Sequence, residues 1–554
     1  MRAADAIVSL LEEAGVTAAF GIPGVHNLAL FDALSRSSVR TVVTRHEGAA
    51  AHAADGYARA TGRIGVVVTT TGPGAANAMA GIGEAWAAGS PVLHLTTQVP
   101  LADVEAGVQR GILHQSPGQL ERFRSLTGWA DRARSPAAAV RLVAAALRPH
   151  EGARPSPRHV EVPFDLLDED AELLDEDAEP DSRTLAGSQL PPPGPEEYGS
   201  AAAVLRAARS PVIWAGGGVV AGSAFDELAR VAERLAAPVV TTYLGRTAIP
   251  ASHPLAVAIS PHEPAVRGLL AEADALLAVG TDFGATVTMG GRLQLPDRIV
   301  RVDIDPGELA KHGATVALRA DALEALAALD GALAAAAVDR SGEVPHVAAR
   351  VAALRAGVRR AIADDPRTAE AAAFLIALES ALPPEAIVVC DMCVAGYWCG
   401  GYLPRERPRT LLYPLGWGTL GFGLPAAVGA AAAGVGPVLA VVGDAGFLYY
   451  PGELATAVEQ GLDLVVLVVN DRGYGMLRFD EERRYGRTFA ADLITPDLER
   501  LAAAFDVPYA AASIDDGSLE EAVRRAIGCG GPRMVEVRAA LYPPRTTSPR
   551  WSEP

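Results

Sequence analysis

The sequence predicts an α/β protein of three doubly wound parallel-sheet domains. Three observations predict it. Short β-type runs alternate with helix-type runs along nearly the whole chain, the rhythm of parallel sheets joined by crossover helices. The 554 residues exceed what one hydrophobic core holds, so about three domains are expected. The runs also fall into three groups, set apart by a charged, proline-rich stretch and by a long Ala-rich helical stretch.

In chain order, the first group has strand-type runs near Ala18 to Phe20, Thr41 to Thr44, Ile64 to Thr70, Val92 to Thr96 and His159 to Val162. After it the heptapeptide Leu-Leu-Asp-Glu-Asp-Ala-Glu occurs twice in tandem, and Pro191-Pro192-Pro193 follows. A block of like charges ending in prolines cannot build a core and reads as a solvated linker. The second group has strands near Pro211 to Ala215, Val239 to Thr242, Ala275 to Val279 and Ile299 to Ile304. Its "AGGGVVAG" lacks the G-x-G-x-x-G spacing and is a weak phosphate-loop signal alone. Ala-rich helices from Val347 to Ala381 lead into strands near Ile387 to Cys390, Val438 to Val442, Val465 to Asn470 and Met534 to Val537. The first and third groups match in size and rhythm, which suggests two related halves around a spacer.

Composition narrows the function. Half of the residues are hydrophobic and the mean hydropathy is +0.19, enough for large cores. Alanine dominates that fraction, and no window of roughly 18 strongly apolar residues suits a membrane span. The charged N-terminus lacks a signal-peptide layout, so a cytoplasmic protein is expected. A net charge of -18 argues against a nucleic-acid partner, which requires a basic surface. Of four cysteines, Cys390, Cys393 and Cys399 cluster. With no second C-x-x-C or His pair nearby, they read as small apolar fillers rather than zinc ligands.

The most informative stretch runs from Val438 to Leu477. Two apolar runs end abruptly in polar residues, one in Gly443-Asp444 and the other in Asn470-Asp471. Ligands of open parallel sheets bind outside the carboxyl ends of the strands. Two carboxylates there, beside glycines that let a phosphate approach the backbone, suit Mg²⁺ shared with a diphosphate. Taken alone, Asp444 reads first as a cap on the helix that follows.

The pattern Gly-Asp, helix, apolar strand, Asn-x resembles the thiamine diphosphate motif, with the two aspartates 27 residues apart. Three further stretches carry the same resemblance: "GIPGVHNLALFDAL", the segment beginning "TRHEGAAAHAADGYARATG", and "PLGWGTLGFGLPAAVGA". With "PVIWAGGGVV" and "RIVRVDIDP" in the spacer, nearly the whole chain looks like an acetolactate synthase or 2-oxo acid decarboxylase type enzyme. The resemblance implies a pyrimidine-binding domain at 1–165, an acidic linker at 166–197, a central domain at 198–335, a diphosphate-binding domain at 345–540 and a tail at 541–554. It also implies a homodimer or homotetramer with sites at subunit interfaces.

By the same resemblance Glu47 matches the glutamate that bonds the cofactor's aminopyrimidine and favours its imino tautomer, which deprotonates the thiazolium C2. Without the resemblance, Glu47 reads as an N-terminal charge on a helix dipole. Gly418 matches the carbonyl that accepts from the aminopyrimidine amine, and Leu420 the apolar residue that keeps the cofactor bent. Asp444, Asp471 and the Gly473 carbonyl match the Mg²⁺ ligands, with Arg472 as the expected counter-charge. Met476 lies near the ring, and Pro23, Thr71 and Asn77 lie in loops around the pyrimidine. Gly443, Ala445, Gly446, Tyr474 and Gly475 complete the cofactor-binding turns.

Three positions depart from the family pattern. Ala445 replaces a Gly, Asp471 replaces the second Asn, and the loop after Asp391 lacks the Gln-His pair with which acetolactate synthases hold the diphosphate. Backbone amides are the expected substitute. The loop "GVQRGILHQSPGQLERFR" resembles the one that puts Gln115 into the site, with His114 beside it as a proton donor or as a polar loop residue. Pyruvate decarboxylases carry an adjacent His pair there and a Glu where Leu477 stands, and this chain has neither. The Gly-Met-x-Gly flavin loop is also missing, so FAD is not expected, although Arg154 matches a family arginine. The implied reaction is Mg²⁺-dependent cleavage or formation of a carbon–carbon bond of a 2-oxo acid, by decarboxylation or carboligation through a C2 enamine. A 2-hydroxyacyl-CoA lyase using an acyl-CoA substrate is the alternative within the class, and a non-catalytic cofactor-binding paralogue the alternative outside it. The tail "LYPPRTTSPRW" is expected to fold back over the site as a lid.

Overall fold

A computed structural model describes residues 1–150, 152–171, 192–311 and 313–551. The first sheet consists of β1 (Ala18–Gly21), β2 (Arg40–Val43), β3 (Gly65–Thr69), β4 (Val92–Gln98), β5 (Trp129–Arg132) and β6 (Arg158–Pro163), in the order β2-β1-β3-β4-β6-β5. The second holds β7 (Pro211–Ala215), β8 (Val239–Thr241), β9 (Ala275–Val279), β10 (Ile299–Asp303) and β11 (Val316–Arg319), in the order β11-β10-β9-β7-β8. The third holds β12 (Ile387–Cys390), β13 (Leu411–Leu412), β14 (Val438–Gly443), β15 (Leu464–Val469), β16 (Tyr509–Ala512) and β17 (Arg533–Val537), in the order β13-β12-β14-β15-β17-β16.

Every strand pairing within these sheets is parallel. Helices cover both faces of such sheets, which is why the central strands are continuous apolar runs rather than alternating ones. The first and third sheets share one order, second-first-third-fourth-sixth-fifth. The matching rhythm of the two sequence groups therefore reflects a shared topology.

These two domains pack through helices Glu47–Thr61 and Gly423–Ala432. A Cβ at Gly56 would run into the Ala426 carbonyl, and one at Gly429 into the Ala53 carbonyl. The helices thus meet backbone to backbone, which only Gly and Ala permit. A buried polar chain crosses the same junction. Arg59 donates to Asp55 at 2.6 Å and to the Tyr413 carbonyl at 2.9 Å, and lies 3.5 Å from Glu84. Glu84 in turn accepts from the Thr419 amide and hydroxyl at 3.0 and 3.1 Å. That anchors the loop carrying Gly418 and Leu420.

At the expected linker, residues 166–171 belong to the wall of the first domain. Leu166 and Leu167 are buried, and Asp170 bridges to Arg2. The next described helix begins at Pro195, and the second heptapeptide lies outside the described residues. The C-terminal segment is wedged rather than free. The Tyr542 carbonyl accepts from Trp398 Nε1 at 2.8 Å, and the Trp551 ring lies 5.8 Å from that of His262 in the central domain. Only its start, at Leu541, reaches the cleft described next.

Candidate active site

The strand ends that the sequence singles out are neighbours. Gly443 at the end of β14 pairs with Val469 at the end of β15, so Asp444 and Asp471 emerge side by side. Asp444 is fully buried; its Oδ2 accepts from the Thr495 hydroxyl, and its Oδ1 is buried with no partner among the described residues. Burial first, and the Asp444 charge second, push the Asp471 carboxyl up to about 6. Two adjacent carboxylates with an orphaned buried oxygen form a donor set that fits a hard cation. No group of three or more His, Cys, Asp or Glu side chains among the described residues is placed to hold a metal. A cation here would complete its shell from backbone, water and phosphate oxygens. Its counter-charge in the protein is Arg478, 3.9 Å from Asp471, rather than the exposed Arg472.

Leu420, Gly443, Ala445, Gly446, Asp471, Gly473, Tyr474, Gly475 and Met476 line one cleft of about 140 Å³. A Cβ at Gly475 would run into Asp471 Oδ2, so any side chain there would push that carboxylate aside. Gly418 sits beside Met392, whose methyl group would lie 3.4 Å from a Cβ at that position. Cys393, Val394 and Ala395 form another wall, at the start of helix Val394–Tyr402. The Gly396 amide at this helix start donates to Cys393 Sγ at 3.3 Å, and N–H groups at a helix start are the kind of donors that suit a diphosphate. All four cysteines are free, with Cys390 and Cys399 buried as packing groups.

Two further residues shape this half, and sequence reasoning missed both. Thr495 holds Asp444 from 51 positions away, with no spacing rule to announce it. Asp391 is buried and accepts from the amides of Met392, Gly421 and Gly423 at 2.7, 3.1 and 3.1 Å. It fixes the Leu420 loop against the end of β12, and burial pushes its carboxyl up to about 6.

Glu47, Asn77, Thr71, Pro23, His114 and Gln115 come together separately, on the first domain. Glu47 opens its helix, and its Oε2 accepts from Asn77 Nδ2 at 3.0 Å. The Thr71 hydroxyl meets that of Thr97 at 3.0 Å. Pro23 lies in the loop after β1, closed by a 2.6 Å bond from the Gly24 amide to Asn27 Oδ1. The Gln115 side chain is occupied within its own loop, accepting from the Arg110 and Gly111 amides and donating to the Val108 carbonyl. Arg154 donates to the Ala87 carbonyl at 2.7 Å, closing the end of a helix. None of the first-domain residues lines the cleft of the third domain.

Family models match in three blocks. The thiamine pyrophosphate enzyme N-terminal TPP binding domain matches residues 1–121, the central domain residues 199–329, and the C-terminal TPP binding domain residues 391–537. The chain is 38% identical over 550 residues to a probable 2-ketoarginine decarboxylase, AruI, of Pseudomonas aeruginosa, covering 98% of this chain and 94% of that protein. It is 32% identical over 552 residues to a probable acetolactate synthase large subunit of Methanocaldococcus jannaschii, covering 97% and 92%. The acetolactate synthase large subunit IlvB1 of Mycobacterium tuberculosis is 31% identical over 530 residues, covering 91% and 82%.

Proposed function

We infer that this chain, which belongs to the thiamine pyrophosphate enzyme family, is a Mg²⁺-dependent enzyme that makes or breaks the carbon–carbon bond beside the carbonyl of a 2-oxo acid. The observation that carries the metal part is the buried, unpartnered Asp444 oxygen beside Asp471. Relatives named for a 2-ketoarginine decarboxylase and for acetolactate synthases support the substrate class.

Bound thiamine diphosphate supplies the nucleophilic carbon and the electron sink. The protein supplies position and protonation. Asp444, Asp471 and the Gly473 carbonyl would hold Mg²⁺, and the N–H groups at the start of helix Val394–Tyr402 would bind diphosphate oxygens. Leu420 and Met476 pack the ring, and the Gly418 carbonyl orients its amine. Glu47, held by Asn77 at 3.0 Å, would hydrogen-bond the pyrimidine nitrogen and could hold or release a proton there.

The two halves belong to one site only if it closes between subunits, so we propose a cytoplasmic homodimer or homotetramer. Large apolar side chains exposed beside each half support this. Val25, Leu28 and Leu113 lie in or beside the first-domain loops, Leu477 lines the cleft, and Ile494 precedes Thr495, which bonds Asp444. Such uncovered surface marks an interface.

A screen of 2-oxo acids and 2-hydroxyacyl-CoAs, scoring CO₂, aldehyde and ligation products with cofactor and Mg²⁺ added, tests the assignment. CO₂ release from at least one 2-oxo acid is expected. Product from the acyl-CoAs alone, or from nothing, would overturn it.

A further inference from the structure

A carboxylate interrupts the apolar run of β17. Glu536 lies between Val535 and Val537, and its side chain is only 3% exposed. An ionised group inside a sheet covered on both faces is costly unless donors complete it. Here three do. The Tyr509 hydroxyl donates to Glu536 Oε2 at 2.6 Å, and Asn470 Nδ2 and Arg538 Nε donate to Oε1 at 2.8 and 3.1 Å. Burial raises the Glu536 pKa, but these bonds outweigh it and hold the pKa below its usual value, so the group is charged.

Strand register explains the meeting. Glu536 stands opposite Val468 of β15 and Ala511 of β16. Asn470 lies two residues beyond Val468, and Tyr509 two before Ala511, so both side chains share the face of Glu536. Three neighbouring strands therefore converge on one carboxylate. The Asn470 amide also extends the ladder past β15, donating to the Val537 carbonyl at 2.8 Å.

Beyond Asn470 the chain of bonds reaches the candidate cation site. Asn470 Oδ1 accepts from the Arg472 amide at 3.1 Å, closing the turn over Asp471. Arg472 holds a left-handed φ of 59°, which a non-glycine residue keeps only when its surroundings impose it. The Glu536 carboxylate can only accept, so it draws Asn470 Nδ2 to itself and leaves Oδ1 facing the Arg472 amide. One negative group thus orients the Asn470 side chain. That side chain in turn holds the loop presenting Asp471 and the Gly473 carbonyl.

We propose that Glu536 is a positioning residue for the cation site, acting through Asn470, with Tyr509 fixing it from the edge strand. Glu536 itself does not line the cleft. This rests on the Mg²⁺ reading above and deepens it, because it makes the metal loop depend on a carboxylate one strand away.

The test is calorimetric titration of the protein with Mg²⁺ at fixed thiamine diphosphate, beside the thermal midpoint of the cofactor-free protein. Glu536→Leu removes the acceptor and should weaken Mg²⁺ binding about tenfold, roughly the net contribution of one hydrogen bond. Glu536→Gln should restore binding to within about threefold of wild type, because its Oε1 still accepts from Asn470 and its amide can donate to the Tyr509 hydroxyl. Tyr509→Phe, at a half-buried edge position, should weaken Mg²⁺ binding about two- to threefold. In the Asn470→Ala background, Glu536→Leu should change Mg²⁺ affinity less than about twofold. A residue that only stabilises the sheet would lower the thermal midpoint in both backgrounds without this dependence on Asn470. Mg²⁺ affinity within about twofold of wild type in Glu536→Leu, or equal losses in the two backgrounds, overturns the proposal. Should Glu536→Leu not fold, Tyr509→Phe decides, and wild-type Mg²⁺ affinity in that variant overturns it. Wild type that binds thiamine diphosphate equally well in EDTA overturns the Mg²⁺ reading itself, and the proposal falls with it.

Discussion

The Arg478 guanidinium stands 3.9 Å from the Asp471 carboxylate and donates to the backbone carbonyls of Asp471 and Arg472 at 3.2 and 3.3 Å. One side chain therefore offsets the charge that Asp471 adds where the family usually has Asn, and holds the loop carrying the Gly473 carbonyl. Charges about 4 Å apart near a protein surface attract by about 4 kcal/mol before screening. Partial exposure of both groups reduces that here. Asp471→Asn should leave cofactor affinity unchanged or tighter, whereas Asp444→Asn, which alters the orphaned buried oxygen, should abolish most binding. Titration of thiamine diphosphate at saturating Mg²⁺ checks both, and about tenfold weakening in Asp471→Asn would refute the charge argument.

Arg478→Gln should weaken binding about three- to tenfold, and by less when Asp471 is already Asn. The coupling measured in that double-mutant cycle isolates the ion pair from the two backbone bonds. Additive losses would mean that Arg478 acts through its backbone bonds and its 2.9 Å pairing with Asp492 rather than through Asp471.

Thr495 donates its hydroxyl to the buried Asp444 carboxylate. Thr495→Val keeps the shape and removes the bond, leaving a buried carboxylate oxygen unpaired, a change worth about 1–3 kcal/mol. Mg²⁺-dependent cofactor affinity should fall about tenfold, and Thr495→Ser should restore it. Unchanged affinity in Thr495→Val would show that the bond does not orient Asp444.

The purified protein should be colourless. The central domain lacks the flavin loop, and Arg154 is engaged with the Ala87 carbonyl. A stoichiometric flavin absorbance band after denaturing release would contradict this, and would shift the assignment towards a true acetolactate synthase.

The legibility of the fold follows burial. The thirteen runs read as strands appear as β1–β4, β6–β10, β12, β14, β15 and β17; most are covered on both faces and so form continuous apolar runs, while the partly exposed edge strand β2 was legible from its β-branched Thr41-Val42-Val43. The four strands that were not read are β5, β11, β13 and β16, and each lies at a sheet edge. β11 and β16 are half exposed, β5 ends in Asp131-Arg132, and β13 has two residues, so none shows an apolar run of useful length. Neighbouring strands, not local pattern, draw them into the sheet.

The site divides in a similar way. Asp444, Asp471 and the glycines around them were legible because strand ends and tight turns leave marks in sequence. Arg478 left a fainter mark, as a cation in the first turn of the helix that follows Gly473. Thr495 and Asp391 left none, since each acts through a contact that only the folded chain creates. Gln115 shows the converse. Its loop was recognisable, but the side chain's bonds to Arg110, Gly111 and Val108 belong to the loop's own closure.

The measurement that bears most directly on the account is C2 proton exchange of bound thiamine diphosphate in Glu47→Gln, followed by NMR and set beside CO₂ release from 2-oxo acids. Glu47 is held by Asn77 at 3.0 Å and is the carboxylate assigned to the pyrimidine nitrogen. The substitution keeps the hydrogen-bonding shape and removes the exchangeable acid. Exchange and turnover should both fall by about 10²–10⁴-fold, the usual worth of a general acid–base group, while cofactor affinity stays within a few-fold of wild type. Retention of more than about a tenth of the wild-type exchange rate would contradict the assignment of Glu47, and with it the mechanism built on this site.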